Sequence, residues 1–185
     1  MILPIYVNGN DVLRQECHSV TPEHEHLDTL IENMYQSMAA ADGVGLAAPQ
    51  VGVAIRLFVV DLTEYDDEDM VNNDTEVFRR TFINPEIVES SENLCPYKEG
   101  CLSVPGITEM VERPAEVTMR YFDGNWQPQQ EHFTGIWARV TQHELDHLDG
   151  KLFVDHLSPL RKQLIKSKLL GIHKGNFKAR YRTKK

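Results

Sequence analysis

Residues 142–150 read Gln-His-Glu-Leu-Asp-His-Leu-Asp-Gly and contain the pattern His-Glu-x-x-His. On a helix of about 3.6 residues per turn, His143 and His147 stand one turn apart on one face, where two imidazoles can share a divalent metal ion. Glu144, beside the first of them, is placed to take a proton from a water on that ion. Shuffling the 8 His and 16 Glu of this chain over its 185 positions gives roughly 0.03 such matches. The plain alternative is a helix with two histidines among surface carboxylates, and the neighbours argue against it. Ile136 and Val140 fall on the same face as both histidines, so the imidazoles point where the apolar side points. Buried imidazoles need partners, and a metal supplies one for each.

Two ligands leave a catalytic site incomplete, since three protein ligands and a water are the usual arrangement for zinc. The extended protease pattern, with a third His six residues past the second, has Gly150 in place but Phe153 where that His would stand. No Glu follows Glu144, so Asp149, Asp155 and His156 are the weak downstream candidates. Upstream lies Glu99-Gly100-Cys101-Leu102-Ser103-Val104-Pro105-Gly106. The chain has three cysteines, an odd count that, with no signal peptide in view, argues against a disulfide framework. Cys17 and Cys95 read as small buried hydrophobes. Cys101 differs: Gly100 before it permits close backbone approach and Pro105-Gly106 turns the chain after it, so its thiolate can be the third ligand. A further block, Gly43-Val44-Gly45-Leu46-Ala47-Ala48-Pro49-Gln50, lacks both phosphate-loop spacings and no strand precedes it. It reads either as a tight helix-to-strand connection or as a loop bordering the site, with Gln50 offering an amide donor.

The three blocks, in this order, resemble the bacterial peptide deformylase family, whose motifs G-x-G-x-A-A-x-Q, E-G-C-L-S and Q-H-E-x-D-H this sequence matches over about residues 1–170. The proline after Ser-Val and the helical tail are similar to the type found in Gram-negative bacteria. The resemblance implies a cytoplasmic, metal-dependent hydrolase of N-terminal processing in protein biosynthesis. It would remove the formyl group from N-formylmethionyl nascent peptides and release formate. By resemblance Cys101, His143 and His147 bind one divalent ion, Fe(II) in the cell with Zn(II), Ni(II) or Co(II) as substitutes, and softness alone also admits zinc. Glu144 is then the general base. The Gln50 amide and the Leu102 backbone N–H stabilise the oxyanion, and Gly45 bonds the substrate backbone. Ile136 and Val140, with Gly43 and Val44 across from them, are expected to line an apolar pocket for the substrate methionine; the alternative is ordinary core. Two rivals stand beside this reading: a zinc peptidase with a downstream ligand, and a non-catalytic metal-binding or ribosome-associated protein.

These side chains need a scaffold, and the chain reads as α+β, with mixed or antiparallel sheets around a central metal-binding helix and a C-terminal helix. Thr21 and Pro22 suit the N-cap and first turn of a helix whose stripe is Leu27, Leu30, Ile31, Met34 and Met38, ended by Asp42-Gly43. Residues 55–62 and 81–89 read as strands, with Pro85 implying an edge or a bulge. Residues 109–121 also look like strand, followed by a hairpin signal at Asp123-Gly124. The metal helix spans about 134–149, with Gly150 past its end. Ser158-Pro159 opens a last helix with a stripe of Leu160, Leu164, Leu169 and Ile172.

At 185 residues, 41% hydrophobic and 25% charged, one globular domain is expected over residues 1–175, followed by a flexible basic tail at 176–185. No apolar run reaches the roughly 20 residues of a membrane span. The net charge of −9 conceals an asymmetry: ten Lys or Arg and no acid follow Asp155, whereas the preceding chain carries 9 basic and 28 acidic residues. The acids at 64 and 66–69 read as a solvated loop within a stretch, 63–80, that departs from the family pattern. The basic C-terminal region is a candidate for contact with ribosomal RNA.

Overall fold

The computed structural model describes residues 1–65 and 78–185; the centre of the acidic stretch, including Asp66, Asp67, Glu68 and Asp69, lies outside the described residues. In chain order the elements are β1 (Ile5–Tyr6), α1 (Leu27–Ala40), β2 (Gly45–Ala47), β3 (Leu57–Asp61), β4 (Arg79–Ser90), β5 (Leu94–Gly100), β6 (Thr108–Pro114), β7 (Val117–Phe122), β8 (Pro128–Phe133), α2 (Gly135–Leu148), α3 (Pro159–Lys174) and β9 (Thr183–Lys184), with 3-10 turns between them. Strands β2-β3-β4-β7-β8 form an antiparallel sheet, β5 and β6 a separate hairpin, and β1 and β9 a parallel pair. The architecture is the expected α+β.

Helix α2 lies at the centre. Every residue from Ile136 to Gln142 is buried, and Trp137, Ala138, Val140 and Leu148 pack with Phe58, Phe82, Met119 and Phe133 of the large sheet. Thr134 is its N-cap, and Gly150 follows the C-cap Asp149 with φ +68°, the left-handed conformation that closes a helix. Gly150 is also close to another segment: a Cβ there would stand 2.8 Å from the carbonyl oxygen of Arg14.

Pro85 marks a bulge, not an edge. Strand β4 is hydrogen-bonded on both sides, its register with β7 shifts between Ile83 and Glu86, and Asn84 adopts φ +50°. The displaced Asn84 side chain bonds the backbone of Val20 twice, each time at 2.8 Å.

Several boundaries differ from the sequence reading. α1 begins at Leu27 after His26, not at Thr21, which instead accepts the His24 N–H in a turn. The apolar stripe starts only at Leu27, so the polar residues before it have nothing to bury. The Gly43–Gln50 block is neither a plain loop nor a bare connection: Gly45–Ala47 pairs with β3, and Ala48–Val51 forms a 3-10 turn. On α3 the buried residues are Ile165 and Ile172, with Leu169 packed against them, while Leu160 and Leu164 are 70% and 62% exposed. Two apolar stripes coexist on this helix, and packing against Leu152, Phe153 and Leu157 selects the one carrying isoleucine. Cys95 is half-buried on β5 rather than a core residue.

The terminal ten residues do not trail from the domain. Ile5 N–H donates to Arg182 O at 2.9 Å, Val7 N–H to Lys184 O at 3.0 Å, and the Tyr181 hydroxyl to Leu102 O at 2.7 Å. The N-terminal segment offers an unpaired strand edge, and the tail satisfies it.

Candidate active site

Three segments converge on α2. His143 and His147 project from one face with ring centroids 5.2 Å apart. Cys101 directly follows β5, where the chain turns back through a Val104 N–H to Cys101 O bond of 2.9 Å. Its sulfur lies 3.3 Å from His147 Nε2. One donor atom from each of Cys101, His143 and His147 falls within 4.8 Å of the others, the only such grouping among the described residues. The downstream candidates are engaged elsewhere: Asp149 with Arg56 at 3.0 Å, Asp155 with Arg14 at 2.5 Å, and His156 with Asp146 at 2.6 Å.

The ring of His143 is held from behind. Its Nδ1 lies 2.8 Å from Glu99 Oε2, and Glu99 also accepts from Arg113 Nε at 2.7 Å and Arg139 Nη1 at 2.8 Å. Arg113 extends the network to Asp146 at 2.7 Å. A carboxylate behind a ligand imidazole fixes ring orientation and raises ligand basicity. Burial alone would raise the Glu99 carboxyl, but the bonds from His143 and Arg113 hold it well below the usual carboxylate range. Burial opposes charge on both imidazoles. His143 nonetheless sits well above the ordinary histidine value because Cys101 and Glu99 bond its ring, whereas burial and the nearby His143 charge press His147 well below it.

Arg113 and Arg139 were not singled out from the sequence, and Asp146 entered only as a member of the Q-H-E-x-D-H motif, without a role. One signal was available: Arg139 lies in a run of α2 flanked by apolar residues, and an arginine on a buried helix face requires a paired carboxylate.

Glu144 is buried, and burial pushes its carboxyl up to about 7. Its Oε2 and the Nδ1 of His147 are buried polar atoms without a hydrogen-bond partner among the described residues. Such atoms are uncommon in folded proteins and point to a bound group that completes them. The Glu144 oxygen, with the clustered sulfur and imidazole donors, fits a divalent cation with one water; the His147 nitrogen that faces the cluster is Nε2, so Nδ1 points away from it. Gly45 leaves the space this carboxylate occupies, because a Cβ there would collide with it. Gln50 is held by its own carbonyl, which accepts the Ala47 N–H at 2.7 Å. Its amide nitrogen therefore faces Ser103 Oγ at 3.2 Å and Cys101 Sγ at 3.5 Å.

Beside this cluster is a cavity of about 480 Å³. All four residues expected from the sequence for an apolar pocket, Gly43, Val44, Ile136 and Val140, line it, as do Gly45, Gln50, Leu102 and Glu144. Gly43 permits close approach to Leu102, whose Cδ1 would lie 2.8 Å from an added Cβ.

The family model for polypeptide deformylase matches residues 2–163. The chain belongs to the polypeptide deformylase family. A peptide deformylase of Cytophaga hutchinsonii is 46% identical over 184 residues, covering 100% of this chain and 97% of that one. A crystal structure of a peptide deformylase from Legionella pneumophila superposes with a TM-score of 0.81 at 38% identity, over 94% of this chain and 96% of that one. A Met-Ala-Ser-bound deformylase from Acinetobacter baumannii gives a TM-score of 0.75 at 33% identity, over 85% of this chain and 99% of that one. As a deformylase, the chain is a metal-dependent hydrolase that removes the N-formyl group from nascent peptides. No helix among the described residues of this deformylase is long and apolar enough to cross a membrane.

Proposed function

We propose that this deformylase acts on N-formylmethionyl peptides with Cys101, His143 and His147 holding one divalent ion and Glu144 carrying the proton. The observation that supports this reading best is the convergence of the three donors beside a buried carboxylate, one of whose oxygens has no hydrogen-bond partner among the described residues. When bound, the ion polarises the formyl carbonyl and acidifies water. Glu144 takes a proton from the attacking water and returns it to the departing amine nitrogen, leaving formate and a free N-terminus. Burial pushes the Glu144 carboxyl up to about 7, and a bound cation would pull it back down, so the carboxylate is the form that accepts the proton. Gln50 Nε2, aimed by its carbonyl anchor, and the Leu102 N–H donate to the oxygen as it becomes negative. Strand β2 is an edge of the large sheet, so the Gly45 backbone can pair with an extended peptide. Val44, Ile136 and Val140 take the methionine side chain, a role consistent with the Met-Ala-Ser peptide held by the Acinetobacter baumannii relative.

Fe(II) is the proposed cellular metal, with zinc, nickel or cobalt able to replace it. Nascent chains place the work in the cytoplasm, and the exposed cations Lys162, Lys166, Lys168 and Lys174 of α3 offer a surface for ribosomal RNA. Anaerobic purification with metal analysis, alongside deformylation of a formyl-Met tripeptide, tests the centre. Cys101→Ser is expected to lose metal. Glu144→Gln should keep it and lose about 10²–10⁴ in kcat. Metal-loaded Glu144→Gln turning over at the wild-type rate would remove Glu144 from the chemistry, and full metal content in Cys101→Ser would remove the sulfur from the ligand set.

A further inference from the structure

The cavity has a wall that the three sequence motifs do not account for. Lys178, Ala179, Arg180 and Tyr181 line it, contributed by the segment between α3 and β9. This segment is anchored at both ends. Asn176 N–H donates to Gly171 O at 2.7 Å, Tyr181 is bonded to Leu102 O at 2.7 Å, and β9 pairs with β1. Phe177 and Tyr181 pack inward against the core, whereas Lys178 and Arg180 are exposed at the cavity mouth. That alternation is expected of extended backbone with one side buried.

Strand β5 contributes a third cation to the lining, Lys98. None of Lys98, Lys178 and Arg180 makes an ion pair among the described residues. The remaining charged groups on the lining are accounted for. Arg139 and Glu99 pair with each other, His143 and Glu144 belong to the reaction centre, and Asp42 is the one exposed carboxylate. A protein of net charge −9 thus lines one opening with three cations that make no ion pair among the described residues.

We propose that Lys178 and Arg180, assisted by Lys98, select formyl-methionyl peptides with an acidic side chain at the second or third residue. The proposal rests on the deformylase reading of the cavity. In an extended peptide, side chains two and three lie roughly 3.5 and 7 Å along the chain from the methionine, within reach of the mouth when the methionine fills the apolar end. Pairing an arginine or lysine with that carboxylate adds attraction without touching the reacting atoms, so it changes selection among peptides and not the chemical step. Exposed pairs of this kind are weak and screened by salt, which sets the expected size of the effect.

The test compares kcat/KM for formyl-Met-Asp-Ala against formyl-Met-Lys-Ala, and formyl-Met-Ala-Asp against formyl-Met-Ala-Lys, over a salt series. The metal-loaded wild type is expected to favour the acidic member of at least one pair by about 3–10-fold at low salt, with the preference fading as salt rises. The double variant Lys178→Glu/Arg180→Glu should reverse that ratio, and Arg180→Ala alone should give an intermediate one. Both side chains are exposed, so the folded state tolerates these changes. Equal turnover of acidic and basic peptides by the wild type, or a ratio unmoved by the double variant, would overturn the proposal. Absence of turnover on every formyl peptide would instead reject the deformylase reading beneath it.

Discussion

At the scale of single residues, the three thiols show how environment separates identical chemistry. Cys101 stands within reach of two imidazoles, while Cys17 is buried beneath α2 and its thiol is pushed up to about 11 by burial. Since the thiolate is the reactive form, Cys17 in the folded protein should resist iodoacetamide at pH 8 and begin to label only as pH approaches 11. The sign follows from the shift. The fold favours the neutral thiol, so this contribution to stability is present below the ordinary value of 9.0 and declines as pH rises towards about 11. Mass spectrometry of alkylated protein across pH reads this directly, and rapid labelling of Cys17 at pH 8 in folded protein would contradict it.

At the scale of elements, the site depends on how the β5–β6 hairpin docks on α2. Glu99 of β5, Arg113 of β6 and Arg139 of α2 form a buried ionic cluster that joins the two elements behind His143. Removing Arg113 strips two bonds from Glu99 and one from Asp146 while Arg139 and His156 stay on those carboxylates, so the cost should lie near the lower end of the about 3–5 kcal/mol of a broken buried pair. Arg113→Met should therefore lower the unfolding free energy by roughly that amount. It should also weaken metal affinity by up to about 10–100-fold, because the carboxylate that orients His143 loses two of its anchoring bonds and keeps only Arg139. Denaturant unfolding and metal competition with a chelator check the two effects separately. Unchanged metal affinity in a destabilised variant would confine the cluster to a structural role. Sequence spacing did identify α2, its cap region and its ligand face, because a 3.6-residue period is written locally. The cluster was not readable, since Glu99, Arg113 and Arg139 lie up to 40 positions apart and only hairpin docking brings them together.

At the scale of the whole molecule, β1 and β9 pair, and the residues just before β9 line one side of the cavity. Truncation after Gly175 removes β9, the Tyr181–Leu102 bond and the wall that carries Lys178 and Arg180. Exposing what Phe177 and Tyr181 cover should cost roughly 2 kcal/mol, since both are only partly buried. KM for a formyl-Met tripeptide should rise several-fold, with less effect on kcat, because the reacting groups remain on α2 and the residues following β5. Steady-state kinetics and thermal unfolding of the truncated protein measure this. A truncated enzyme with wild-type KM and thermal stability would return the tail to the status of a solvated extension.

What the sequence determined by itself was the chemistry: His143, Glu144 and His147 at helical spacing, a cysteine between glycine and a Pro-Gly turn, and an α+β scaffold. These features are local, because each rests on residue type and a short-range period. Only the tertiary structure decided the rest. It brought Cys101 together with the two histidines, one donor atom from each lying within 4.8 Å of the others, and paired Asp149, Asp155 and His156 elsewhere. It also selected the Ile165–Ile172 face of α3 over the Leu160–Leu164 face, and it turned an apparently free basic tail into a cavity wall. Each outcome depends on which surface a residue meets, and that is set by packing between segments far apart in the chain, where periodicity carries no information.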